Sequence, residues 1–110
     1  MSWNNITINA GGQPYITNTQ VTVGTEAVNI ALGWRRIQPI GYFTIRMENA
    51  IPSDATTTLP ITLTLNGVTR PLTLPNGVAV TVSDVLNTNV MLIFNDKFNG
   101  LLTLMSRTVV

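Results

Sequence analysis

The stretch from 59 to 82, LPITLTLNGVTRPLTLPNGVAVTV, limits the fold of this chain more than any other segment. Apolar residues fall at every second position through three runs, interrupted by Asn66-Gly67 and by Pro75-Asn76-Gly77. A helix would need apolar residues three and four apart, whereas a period of two lines one side of an extended strand. Ile61, Leu63 and Leu65 therefore share one face, with Thr62 and Thr64 on the other. Asn66-Gly67 has the composition of a two-residue type I′ turn, which needs positive φ at both positions. A strand over 68–74 should return antiparallel to the first, and Val78 to Val82 should add a third before Ser83-Asp84 ends it. Pro71 lacks an N–H for a ladder, which predicts that the second strand lies at a sheet edge or a bulge and makes Pro71 a candidate contact residue.

Further strands are expected on both sides of this meander. Tyr42 to Met47 alternates, with Phe43, Ile45 and Met47 on one face. Val90-Met91-Leu92-Ile93-Phe94 is apolar on both faces, as for a central strand covered on two sides, and Asn99-Gly100 turns it into Leu101 to Met105. Ile6 to Ile8, Gln20 to Val23 and Val28 to Leu32 read as shorter strands. Asn49 to Leu59 is the longest polar connection, expected to join two sheets. Thr pairs at 17 and 19, 56 and 58, and 62 and 64 follow no fixed period, which disfavours a solenoid. Short strands joined by Gly, Asn and Pro turns predict an all-β chain, a β-sandwich or small barrel. The expected form is a small antiparallel sandwich, Ig-like or jelly-roll-like, of seven to nine strands, with residues 1–110 forming one domain.

The chain contains neither histidine nor cysteine, which removes the commonest general base, the thiol nucleophile and the usual zinc ligands together. Its five acids, Glu26, Glu48, Asp54, Asp84 and Asp96, are scattered singly, and Asp84 and Asp96 sit where a carboxylate ordinarily caps its own turn. Asn95 to Gly100 offers one carboxylate beside Lys97, too few for a calcium loop. Asn5-Ile6-Thr7 matches a glycosylation sequon, as chance allows in a chain this rich in Asn and Thr. No enzyme activity, metal or cofactor is expected. A net charge of +1 and one basic doublet, Arg35-Arg36, offer little to a phosphate backbone, which argues against nucleic acid as a partner. The opening Met1-Ser2-Trp3-Asn4-Asn5 lacks the basic start and apolar run of a secretory signal, so the chain is expected to stay in the cell that makes it. The five residues of Val90 to Phe94 are the longest apolar run, far short of the roughly twenty that span a bilayer, so no membrane partner is expected.

Charged residues make up only 10% of the chain, against about 25% in an ordinary domain, and seventeen Thr and twelve Asn take their place. A free monomer normally keeps surface charge to stay dispersed. Multi-copy assembly is the expected life of such a chain. Trp34-Arg35-Arg36 is its densest cluster of residue types enriched at interfaces, although a Trp34 buried in the core between solvated arginines would explain it equally well. Trp3 has few apolar neighbours to anchor it, and Thr108-Val109-Val110 ends the chain apolar. Both termini are therefore candidates for contact, Val109 and Val110 by strand addition to a neighbour.

The opening MSWNNITINAGGQPYITNTQVTV and the run PLTLPNGVAVTVSDVLNTNVMLIFNDKFNGLLTLMS resemble small structural proteins of tailed bacteriophage virions, most closely those of crAss-like phages of gut bacteria. The likeness is one of style across the whole chain, without a diagnostic motif, and it transfers no site residue. It implies an auxiliary or decoration protein on the capsid surface, made in the bacterial cytoplasm. Many symmetric copies would bind the major capsid protein or other virion proteins and stabilise the head. A neck, tail or head-fibre component is the nearest alternative. A carbohydrate-binding or adhesin sandwich is the rival from another class.

Overall fold

The computed structural model describes residues 15–109. The expected strands at Ile6 to Ile8, and with them Trp3, the sequon and Val110, lie outside the described residues. Seven strands form one continuous sheet: β1 (Tyr15–Val23), β2 (Val28–Leu32), β3 (Ile40–Arg46), β4 (Ile61–Leu65), β5 (Val68–Thr73), β6 (Thr88–Asp96) and β7 (Leu101–Val109). A four-residue helix, α1 (Val82–Val85), precedes β6, and a single 3-10 turn over Lys97–Asn99 precedes β7.

The expected sandwich is replaced by a closed barrel in the order β1-β2-β4-β5-β7-β6-β3, with β3 pairing back to β1. Nor is the sheet purely antiparallel. β1 with β3, β2 with β4 and β5 with β7 run parallel, and the other four pairings run antiparallel. Period-two patterning places one face of each strand on a core, which a sandwich and a barrel both satisfy. Alternating residues of all seven strands fill the interior, among them Ile16, Ile30, Phe43, Ile45, Leu63, Leu72, Ile93 and Leu104.

The Asn66-Gly67 turn forms as expected, with φ of 52° and 84°. It sets the register Leu65↔Val68, Thr64↔Thr69, Leu63↔Arg70 and Thr62↔Pro71. A two-residue hairpin begins with a hydrogen-bonded pair, so Thr64↔Thr69 and Thr62↔Pro71 are the non-bonded pairs. The 2.7 Å separation of the Thr64 and Thr69 hydroxyls fits that assignment. The missing Pro71 N–H therefore faces away from β4, and β5 pairs with β7 only from Leu72 onward. Over 68–71 that side of β5 has no strand partner, so Pro71 occupies a local edge, as expected. The ring still closes, because Leu72 and Thr73 pair with Leu102 and Thr103.

The third strand of the meander also fails to form a ladder. Residues 78–82 make only two isolated bridges, Pro60↔Thr81 and Thr73↔Ala79. Val80 donates its N–H to Leu72 and accepts at its carbonyl from Ile61, so this segment crosses between the ends of β4 and β5. Val80, Val82 and Val85 are buried there, with Ile51 and Ala55 from the 47–60 connection. The polar loop of the sequence reading thus carries two core residues. The Thr81 N–H and the Asp84 carboxylate, 2.9 Å apart, cap the start of α1.

Strand direction sorts the connections. The two long ones, 47–60 and 74–87, lie at one end of the barrel and close it. At the other end lie 33–39, the Asn66-Gly67 turn and 97–100.

Two buried amides fasten the barrel outside the ladders. Asn18, beside a register shift in β1, accepts from the Glu48 and Asn49 N–H groups at 2.7 and 2.9 Å and donates to the Asn49 carbonyl at 2.7 Å. Asn18→Leu would strand two backbone donors, and urea denaturation should show a loss of about 2 kcal/mol or more. Phe43→Ala should cost about 3–5 kcal/mol, whereas Phe98→Ala, at a residue 77% exposed, should stay within about 0.5 kcal/mol of the parent.

Candidate functional site

Two surfaces stand out: the open mouth of the barrel and the outer wall of β3, β6 and β7.

The mouth is built from the three short connections at its end, and hydrogen bonds tie each to another. The Asn66 side chain accepts from the Arg35 N–H at 3.1 Å and donates to the Arg35 carbonyl at 2.8 Å, clamping the 33–39 connection to the β4–β5 turn. The Lys97 N–H donates to the Pro39 carbonyl at 2.8 Å. Asn95, 2% exposed, donates to the carbonyls of Gln38 and Pro39 at 2.8 and 3.3 Å. Its Oδ1 accepts from the Arg70 guanidinium at 3.1 Å. The Asp96 carboxylate is occupied in its own turn, where it accepts from the Asn99 N–H and side-chain amide.

A pocket of about 380 Å³ opens inside this frame. Arg36, Arg70 and Lys97 line it from three separate parts of the chain, and no carboxylate does so among the described residues. Trp34 stands at its rim, 76% exposed. Ile37, Leu65 and Leu102 supply apolar lining.

The wall results from the two-faced apolar character of β6. Among the described residues no second layer covers that strand, contrary to the sequence reading: Met91 and Ile93 fill the interior, while Leu92 and Phe94 lie half-buried on the outside. Phe94 meets Tyr42 of β3 edge to face, with ring centroids 5.1 Å apart. Exposed Ile40, Leu101 and Met105 extend the patch, and Tyr15 joins it from β1, which pairs with β3 at Thr44. The Arg35 guanidinium sits 5.8 Å from the Tyr15 ring centroid, close enough for a cation–π contact.

The candidates read from the sequence therefore divide. Trp34, Arg35 and Arg36 are all exposed; Trp34 and Arg36 face the mouth, and Arg35 turns to Tyr15. Pro71 is exposed on β5, on the other side of β7 from β6. Val109 pairs with Thr88 of β6, so one side of its backbone is engaged within its own barrel. Arg70 is not singled out in the sequence, and Asn95 and Lys97 are weighed there only for calcium, because the convergence of the three comes from strand pairing and not from spacing. The one available signal was Arg70 at an inward position of an otherwise apolar alternation.

Neither family models, nor curated proteins, nor solved structures provide a match to this chain.

Asn66→Gly would keep the turn conformation and delete the amide clamp. Exchange of the Arg35 amide proton should then quicken about tenfold, with global stability in urea changing by less than about 1 kcal/mol.

Proposed function

We propose that this protein is a non-enzymatic assembly component of a bacteriophage virion, an auxiliary capsid protein that docks on the major capsid protein and stabilises the head. The observation that carries this reading is the apolar wall of β3, β6 and β7. Tyr42, Phe94 and Leu92 sit together on it, in a chain with only 10% charged residues. Soluble monomers rarely present a contiguous patch of that character, and such patches mark interaction surfaces.

The closed sheet suits this role in a particular way. Its outward side chains form the wall, so association proceeds through side-chain packing there. Arg35 and Tyr15 extend the contact toward Trp34. The stabilisation is a mass-action effect, because the added interfaces exist only in the assembled state. Absence of histidine and cysteine from the whole chain supports a role without catalysis.

The test follows the protein through a density gradient of a lysate from its native source. Co-sedimentation with a megadalton particle through high salt is the expected result; recovery only in slow fractions would overturn the reading and turn attention to glycan screening. Tyr42→Ser combined with Met105→Ser should lower particle occupancy about tenfold or more while leaving circular dichroism unchanged, since both side chains are exposed. Trp34→Ala with Arg35→Ala should act in the same direction without unfolding the barrel.

A further inference from the structure

The mouth has a chemistry that docking on the wall does not use. Arg36, Arg70 and Lys97 are three of the six cations of the chain, and all three line one pocket. Among the described residues no acid lines it, so nothing there neutralises them. Arg70 is half-buried, and its recorded partner, the Asn95 Oδ1, is neutral. That contact orients the guanidinium and leaves its full charge in place. It uses one of the five N–H donors of the fork, so others remain to bind a second acceptor.

The acceptor Asn95 is itself fixed, since its amide nitrogen donates to two carbonyls of the 33–39 connection. The guanidinium is thus held from behind before any ligand arrives, which lowers the ordering cost of binding. Half-burying the Arg70 cation without a counter-charge is unfavourable, and an incoming anion relieves it. Trp34 and Ile37 line the same pocket and present apolar surface. The volume of about 380 Å³ falls at the small end of the ligand-site range.

We infer that the mouth binds a small organic anion, with a carboxylate or phosphate group on Arg70, Arg36 and Lys97 and a flat apolar body against Trp34. The planar fork of arginine matches both oxyanions, and indole is the side chain best suited to a flat ring. Three cations gathered at one barrel end favour a free small molecule over a nucleic-acid backbone, which would need cations spread along a face. This inference is independent of the assembly reading, and each can fail without the other.

The test is an NMR titration of the full 15N-labelled chain with phenyl phosphate and with benzoate, set against phenol and inorganic phosphate. Both aromatic anions should shift the Arg70, Asn95 and Trp34 indole signals and saturate, binding at least tenfold more tightly than phenol or inorganic phosphate. Arg70→Met should weaken binding tenfold or more. Arg36→Gln and Lys97→Gln, at exposed positions that folding does not need, should each weaken it several-fold, and Arg46→Gln on the wall should leave it unchanged. Phenol binding as tightly as the anions would overturn the inference. So would shifts that never saturate, shifts confined to the wall, or equal losses from Arg46→Gln and Arg36→Gln.

Discussion

The pairing of β1 with β3 is the constraint on which the rest of the structure depends. Tyr15↔Thr44, Ile16↔Ile45 and Thr17↔Arg46 are only three register pairs, yet they turn an open seven-stranded sheet into a ring. Closure gives every strand a partner on both sides over part of its length, which shortens the unpaired rows of N–H and C=O groups that are the usual hazard of an all-β protein with little charge to keep edges apart. It also makes the inward residues of all seven strands one core. With only 10% charged residues, this chain has few lysines or glutamates with which to blunt an edge, and the barrel reduces the need.

Closing the ring leaves two ends to be dealt with, and the chain treats them oppositely. At one end, two long connections fold inward and add Ile51, Ala55, Val80, Val82 and Val85 to the core. At the other, the connections are too short to cover the opening. Amide side chains brace them against each other, Asn66 to the Arg35 backbone and Asn95 to Gln38, Pro39 and Arg70. An amide both donates and accepts, so one residue joins two segments without adding charge. The same device recurs at Asn18 with Glu48 and Asn49. Part of the Asn content that reads as turn propensity is therefore structural bracing.

The charges that remain are concentrated by this arrangement. Arg36, Arg70 and Lys97 meet at the mouth, while Tyr42, Leu92 and Phe94 form an apolar centre on the wall of β3, β6 and β7, whose cations are Arg46 and Arg107. The exposed ion pair of Arg46 with Glu48, at 3.5 Å, contributes little to stability. One small protein thus carries an apolar surface suited to a protein partner and a cationic pocket suited to a small anion, on different parts of one rigid scaffold.

The sequence by itself determined what is local. The period of two in Ile61 to Leu65, the positive φ at Asn66 and Gly67, and the inward Phe43 and Ile45 all follow from side-chain alternation and turn chemistry between near neighbours. The absence of histidine and cysteine likewise constrains chemistry whatever the fold. Tertiary structure decided whatever depends on which strands meet. Alternation is the same in a sandwich and a barrel, so the three parallel pairings that close the ring were invisible in it. Val78 to Val82 has the pattern of a strand but meets β4 and β5 only where their ladder ends, so it crosses the barrel end with two isolated bridges. Arg70 and Asn95 lie 25 residues apart in the chain and 3.1 Å apart in space, a proximity created by β5 and β6 both flanking β7. Local patterning specifies faces and turns; only ring closure, a cooperative property of all seven strands, specifies the mouth.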